Sequence, residues 1–117
     1  MTPSIVEKDG QFLLAVGSPG GSKIITTVFQ VITNVVEFKL PLEQAVQRPR
    51  FHFQWYPDIL YYEKDAFSTA QLDALKKLGH HPEQRADIGQ VEAVLQLPDG
   101  RLEGVADRRG DDHAGGW

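Results

Sequence analysis

Apolar positions along this chain fall into short blocks whose period shifts from two to nearly four and back. Ser4-Ile5-Val6-Glu7 and Phe12-Leu13-Leu14-Ala15-Val16 flank Asp9-Gly10. An Asp-Gly pair between two apolar runs predicts a hairpin, because glycine enters positive φ at little cost. The run 12–16 is apolar throughout, which predicts a strand covered on both faces. From Lys23 to Phe38, apolar residues stand at 24, 25, 28, 29, 31, 32, 35, 36 and 38. The sets 24-28-31-35-38 and 25-28-32-36 both fit helical spacing. β-branched composition alone leans to strand, but sixteen residues is long for a strand and ordinary for a helix. So wide an apolar face predicts a helix buried between layers, with Ser22 near its start.

Pro41, Leu42, Ala45 and Val46 predict a short second helix that stops before Pro49. Arg50 to Tyr56 alternates large apolar with polar groups and predicts a strand. Pro57-Asp58 turns the chain, and Ile59 to Glu63 returns as another strand. Ser68 to Leu78 is the clearest helix. Ser68 and Gln71 have capping-box spacing, Leu72, Leu75 and Leu78 share a face, and Gly79 stands where a C-terminal cap belongs. Gln90 to Leu97 and Arg101 to Ala106 form a second hairpin through Pro98-Asp99-Gly100, and 107–117 reads as coil. Trp55, Tyr56, Tyr61 and Tyr62 read as a core and cross-strand aromatic patch. The order ββ–α–α–ββ–α–(β)ββ describes an α/β (α+β) layered sandwich with mostly antiparallel strands.

The 117 residues are one domain's length, and nothing in residues 1–117 marks an internal boundary. With 41% apolar and 24% charged residues the composition is globular. Twelve Lys+Arg against sixteen Asp+Glu give −4, and the absence of basic blocks argues against nucleic-acid binding. No stretch reaches the roughly 20 mostly apolar residues of a membrane span, and residues 1–20 show no signal-peptide pattern. Without cysteine there is no thiolate nucleophile, thiolate metal site or disulfide. Asp111-Asp112-His113 is too weak a pattern for a metal site, and no cofactor motif stands out. His80-His81 reads as favourable charge at a helix C-terminus.

Gly17-Ser18-Pro19-Gly20-Gly21-Ser22 carries the chemistry. The first N–H groups of a helix lack internal acceptors and carry the positive end of its dipole. Two glycines there let a phosphate, a carboxylate or an acyl-transfer oxyanion approach the backbone. The same glycines could equally serve only a tight strand-to-helix turn. The spacing is neither a P-loop nor a dinucleotide fingerprint.

The glycine loop followed by Ile24-Ile25-Thr26-Thr27 resembles that of the gamma-glutamyltranspeptidase family of N-terminal-nucleophile (Ntn) hydrolases. The resemblance extends to Met1-Thr2-Pro3-Ser4-Ile5-Val6, to Ala45-Val46, to Pro49-Arg50-Phe51-His52 with Gln54-Trp55, to Leu78-Gly79-His80 and to Ala106-Asp107-Arg108-Arg109-Gly110. It implies part of an αββα Ntn-hydrolase fold. It also implies transfer or hydrolysis of gamma-glutamyl groups, as from glutathione, through an ester on an N-terminal threonine. The backbone amides of Gly20 and Gly21 would form the oxyanion hole, with Ser18, Gly20, Gly21 and Ser22 lining the substrate. Arg50, His52 and Arg109 would be structural or maturation residues.

Departures from the family pattern are specific. No residue here matches the nucleophilic threonine, and Thr2 aligns downstream of it. The substrate-binding Ser-Ser pair would lie just before Met1, and the acidic residues that grip the substrate's amino group have no counterpart. Arg108 stands where the family has proline between Asp107 and Arg109. The chain is therefore similar to the C-terminal portion of the small subunit, silent alone, with the rest of that subunit and the large subunit as partners. The resemblance implies a periplasmic or extracellular setting. Alternatives are an Ntn amidase or acylase with another substrate, and a non-catalytic anion-binding module. Strands near Met1 or Gln90 are expected to leave open edges that favour homo-oligomers.

Overall fold

A computed structural model describes residues 3–116. Its main sheet has four antiparallel strands in the order β1-β2-β6-β7: β1 Ser4–Lys8, β2 Gln11–Gly17, β6 Glu92–Gln96 and β7 Leu102–Ala106. The first two and last two form the expected hairpins. Antiparallel pairing of β2 with β6, Leu14 opposite Leu95 and Val16 opposite Ala93, joins the two ends of the chain. A smaller sheet, β3-β4-β5, holds Phe51–His52, Leu60–Glu63 and Pro82–Arg85, with β4 and β5 parallel. Met1 and Thr2, part of the opening segment of the resemblance, lie outside the described residues.

Helices α1 (Lys23–Val36) and α2 (Leu42–Gln47) cover one face of the main sheet. Their inward residues Val28, Val31, Val35, Leu42, Ala45 and Val46 meet Leu14, Val16, Val91, Ala93 and Val105. Each such valine or leucine side chain taken from water stabilises the fold by roughly 1.5–3 kcal/mol. Helix α3 (Thr69–Lys77) has the expected capping box: the Gln71 N–H donates to Ser68 Oγ, and the Ser68 N–H donates to Gln71 Oε1.

Several expectations need correction. Helix α1 ends at Val36, because Lys39 takes a positive φ of 55° and the Leu40 N–H turns back to the Asn34 carbonyl. It is buried on one face only: the 24-28-31-35 set meets the sheet, while Ile25 and Phe29 are exposed. Strand β2 likewise buries Leu14 and Val16, and its alternate residues Leu13 and Ala15 are half-covered. Both follow from one cause: within the described residues this chain supplies one helix layer and no layer beyond either outer face. The strand expected over 50–56 pairs only at Phe51–His52. Trp55 has φ 70° and the Tyr56 N–H turns back to the Gln54 carbonyl, which breaks extension.

The aromatic patch also disperses. Trp55 and Tyr56 are exposed, Tyr62 packs on Phe67, and Tyr61 lies under the Arg85 guanidinium at 4.2 Å. His80 and His81 turn to Phe53 and Asp58. Near Gln90 the strand is paired on both sides, so the open edges of the main sheet are β1 and β7.

Candidate functional site

Strand β2 runs from the core into the glycine loop, and the loop runs into α1. Gly17 and Ser18 are buried, whereas Pro19 to Ser22 are exposed. Gly20 and Gly21 adopt φ of 132° and 60°, values that side-chain-bearing residues rarely take. Their carbonyls accept the first amides of the helix, Lys23 N–H and Ile24 N–H, each at 3.2 Å. The Gly20 and Gly21 N–H groups have no acceptor among the described residues. Two uncommitted amides thus stand at the N-terminal, electropositive end of a fourteen-residue helix.

Ser18 is differently placed. Its buried hydroxyl donates to the Pro19 carbonyl at 2.7 Å and accepts from the Gln90 N–H at 3.1 Å. Ser22 is exposed, and its hydroxyl donates to Gln54 Oε1 at 2.7 Å. A cavity of about 530 Å³ touches Gly17 but not Gly20 or Gly21. It lies over the outer sheet face, beside Val94, Gly104 and Ala114.

The Pro-Arg-Phe-His segment is tied to the same helix. The Gln54 amide nitrogen donates to the Tyr56 carbonyl, so its oxygen faces Ser22 and accepts from His52 Nε2 at 2.8 Å. That favours a proton on Nε2, and Nδ1 stands 2.6 Å from Thr26 Oγ1, whose hydroxyl also lies 3.2 Å from the Lys23 carbonyl. His52 is buried and bonded through both nitrogens.

Arg50 and Arg109 form a buried four-charge cluster with Glu63 and Asp107. Arg50 Nη2 donates to Asp107 Oδ2 at 2.7 Å and to the Val46 carbonyl, and Nη1 donates to the Ile88 carbonyl. Arg109 grips both Glu63 oxygens, at 2.7 and 2.5 Å, and reaches Asp107 Oδ1 at 2.9 Å. Two positive and two negative charges cancel, which is what permits their burial. Burial opposes ionisation of Glu63, but hydrogen bonds from Arg109 and from the Ile88 and Arg50 amides hold its carboxyl below the usual range. Asp107 is likewise held low: against the burial cost stand the Arg50 charge and the Val91 N–H. Burial also works against the Arg109 charge, and its bonds to the two carboxylates more than offset this.

Sequence reasoning singled out both arginines but not Glu63 as a partner. A buried guanidinium requires carboxylates, yet sixteen Asp and Glu were available, and spacing does not select among them. Asp111 and His113 are exposed at the tail, and Asp112 accepts from Gln90 Nε2.

The antiparallel sheet under a helix layer, with a glycine loop entering the helix, is shared with solved transpeptidases of the Ntn-hydrolase class, and the chain has that class of fold. A crystal structure of an acivicin-inhibited gamma-glutamyltranspeptidase superimposes with a TM-score of 0.90 at 43% identity, covering 96% of this chain and 61% of that one. The profile of the family described as Gamma-glutamyltranspeptidase matches residues 1–117. The glutathione hydrolase proenzyme of Escherichia coli (strain K12) is 42% identical over 118 residues, covering all of this chain and 20% of that protein. The acylase ACY 1 proenzyme of Pseudomonas sp. (strain SE83) is 30% identical over 112 residues, covering 95% of this chain and 20% of that protein. The chain belongs to the gamma-glutamyltranspeptidase family, a family of enzymes. It spans about a fifth of the length of these curated relatives.

Proposed function

We propose that this chain contributes the oxyanion-stabilising loop of a gamma-glutamyl transferase or hydrolase, with the nucleophile supplied by other residues of the enzyme. The carrying observation is the pair of exposed, uncommitted amides at Gly20 and Gly21, at the start of α1. In such a reaction a threonine hydroxyl attacks the gamma-carbonyl carbon, its proton passes by way of the threonine's own amine to the departing nitrogen, and the carbonyl electron pair moves onto oxygen. Backbone N–H donors hold that oxyanion until the amine leaves and the gamma-glutamyl ester remains. Water or an amino acid then takes the acyl group. Each well-placed donor contributes about 3–4 kcal/mol to lowering the barrier. Donors fixed in the backbone need no reorganisation as charge develops.

Within the enzyme, the reading assigns this chain to the C-terminal portion of the small subunit. The matched stretch fills 61% of the crystallised relative's chain and only 20% of a proenzyme, as expected when that chain is the shorter product of processing. The remainder of the small subunit and the large subunit are then its partners. The 117-residue chain alone is expected to be silent towards a chromogenic gamma-glutamyl anilide. Turnover above background by the purified chain would overturn this assignment of roles.

The acylase relative supports a second reading, in which the same loop stabilises an oxyanion on a different amide. Residues encoded just upstream of Met1 discriminate: a serine pair there, downstream of a self-cleaving threonine, supports gamma-glutamyl chemistry. A threonine or serine nucleophile without that pair supports the acylase.

A further inference from the structure

Residues 88–91, between β5 and β6, touch both the charged cluster and the glycine loop. The Ile88 N–H donates to Glu63 Oε1 at 2.7 Å, and the Ile88 carbonyl accepts from Arg50 at 2.9 Å. Three residues on, the Val91 N–H donates to Asp107 Oδ2 at 2.8 Å. Between these anchors, the Gln90 N–H donates to Ser18 Oγ, which itself donates to the Pro19 carbonyl. Gly89 sits at the centre with φ 70°. A Cβ there would fall 2.6 Å from Thr27 Oγ1, 2.8 Å from Thr27 Cγ2 and 3.1 Å from Ser18 Oγ. On the other side, a Cβ built on Gly20 would lie 3.9 Å from Gly89 Cα.

We infer that Gly89 and Ser18 are positioning residues for the Gly20 and Gly21 amides. The segment 88–91 is a platform clamped at both ends by Glu63, Arg50 and Asp107. Gly89 is the one residue type that lets this platform close against α1, and Ser18 bolts the loop to it by a two-bond bridge. The buried charges thereby act on the loop at a distance, through backbone hydrogen bonds. Only the catalytic consequence rests on the oxyanion reading; the positioning itself does not.

The test follows the backbone amides of the isotope-labelled chain by NMR. Ser18→Ala is expected to shift the Gly20 and Gly21 resonances and lower their order, while core amides such as Val31 stay in place. Gly89→Ala is expected to do the same more strongly, and adding Thr27→Ala, which removes both crowding atoms, is expected to move the loop resonances back towards the parent. A general loss of packing would spread across the core and show no such rescue. Unchanged Gly20 and Gly21 resonances in Ser18→Ala overturn the inference, even if Gly89→Ala does not fold.

In the enzyme assembled with its nucleophile, Ser18→Ala is expected to lower kcat on the order of 10–100-fold with KM little changed, as for a small misplacement of catalytic groups. A displaced loop with unchanged kcat overturns the oxyanion reading and leaves the positioning standing. An unmoved loop overturns the positioning whatever the rate.

Discussion

Arg50 Nη2 lies 2.7 Å from Asp107 Oδ2, and neither side chain is more than 2% exposed. Fifty-seven positions of sequence separate them. The contact closes the chain's middle onto its end, beneath the loop that carries Gly20 and Gly21.

Truncating one member of this pair is expected to be severe. Arg50→Met leaves Asp107 buried with less compensation, orphans the Ile88 carbonyl and leaves the Val46 carbonyl only its 3.3 Å bond from Arg109 Nη1, at an expected cost of about 3–5 kcal/mol in urea unfolding. Arg50→Lys keeps the charge, but one ammonium cannot span three acceptors as the guanidinium fork does. It is expected to be destabilised as well, though less than the methionine variant. Equal stability of all three proteins would remove the cluster from the account of folding.

Acid sensitivity follows from the same carboxylates. Glu63 and Asp107 are both held below their ordinary values in the folded chain. The unfolded chain therefore binds protons first as pH falls. The stabilisation is complete above the ordinary carboxyl range of about 4 and is lost as pH drops through the lower folded-state values. Circular-dichroism melts from pH 7 to pH 3 are expected to show a falling midpoint, and a shallower fall in Asp107→Asn. Because the cluster is buried, added salt is expected to change its contribution little.

Thr27 supplies a test of opposite sign. Its side-chain oxygen is buried and has no partner among the described residues. Thr27→Val keeps the branched shape and discards the unsatisfied hydroxyl, so it is expected to stabilise the chain by about 1 kcal/mol. A lower melting midpoint in the variant would show that the hydroxyl has a partner in solution.

Open edges at β1 and β7, with Ile5 and Leu102 exposed on them, lead us to expect association that grows with concentration. Sedimentation at high concentration tests this, and a monomer throughout would contradict it.

Local signals in the sequence were strong where a single residue type answers a single backbone demand. Asp9-Gly10 and Pro98-Asp99-Gly100 marked the hairpins, and Ser68 with Gln71 marked the start of α3. In the glycine loop, Gly20 and Gly21 fall where the backbone takes positive φ. The extended reading of 50–56 failed because its end is decided by a side chain: Gln54 bonds across to Ser22 and His52, and alternation of apolar residues carries no trace of that.

What the order of residues settled was therefore local: the hairpins, the helices and the pair of glycines, since each depends on neighbours a few positions apart; the family followed from several such short segments in order along the chain. What only the folded chain decided was pairing at long range: β2 with β6, Arg50 with Asp107, Arg109 with Glu63, and Gly89 beneath Gly20. Any of sixteen acidic residues could have met the two arginines on paper. Burial made the choice, because a charge withdrawn from water tolerates only partners within hydrogen-bond reach, and the packing of the helices on the sheet determines which those are.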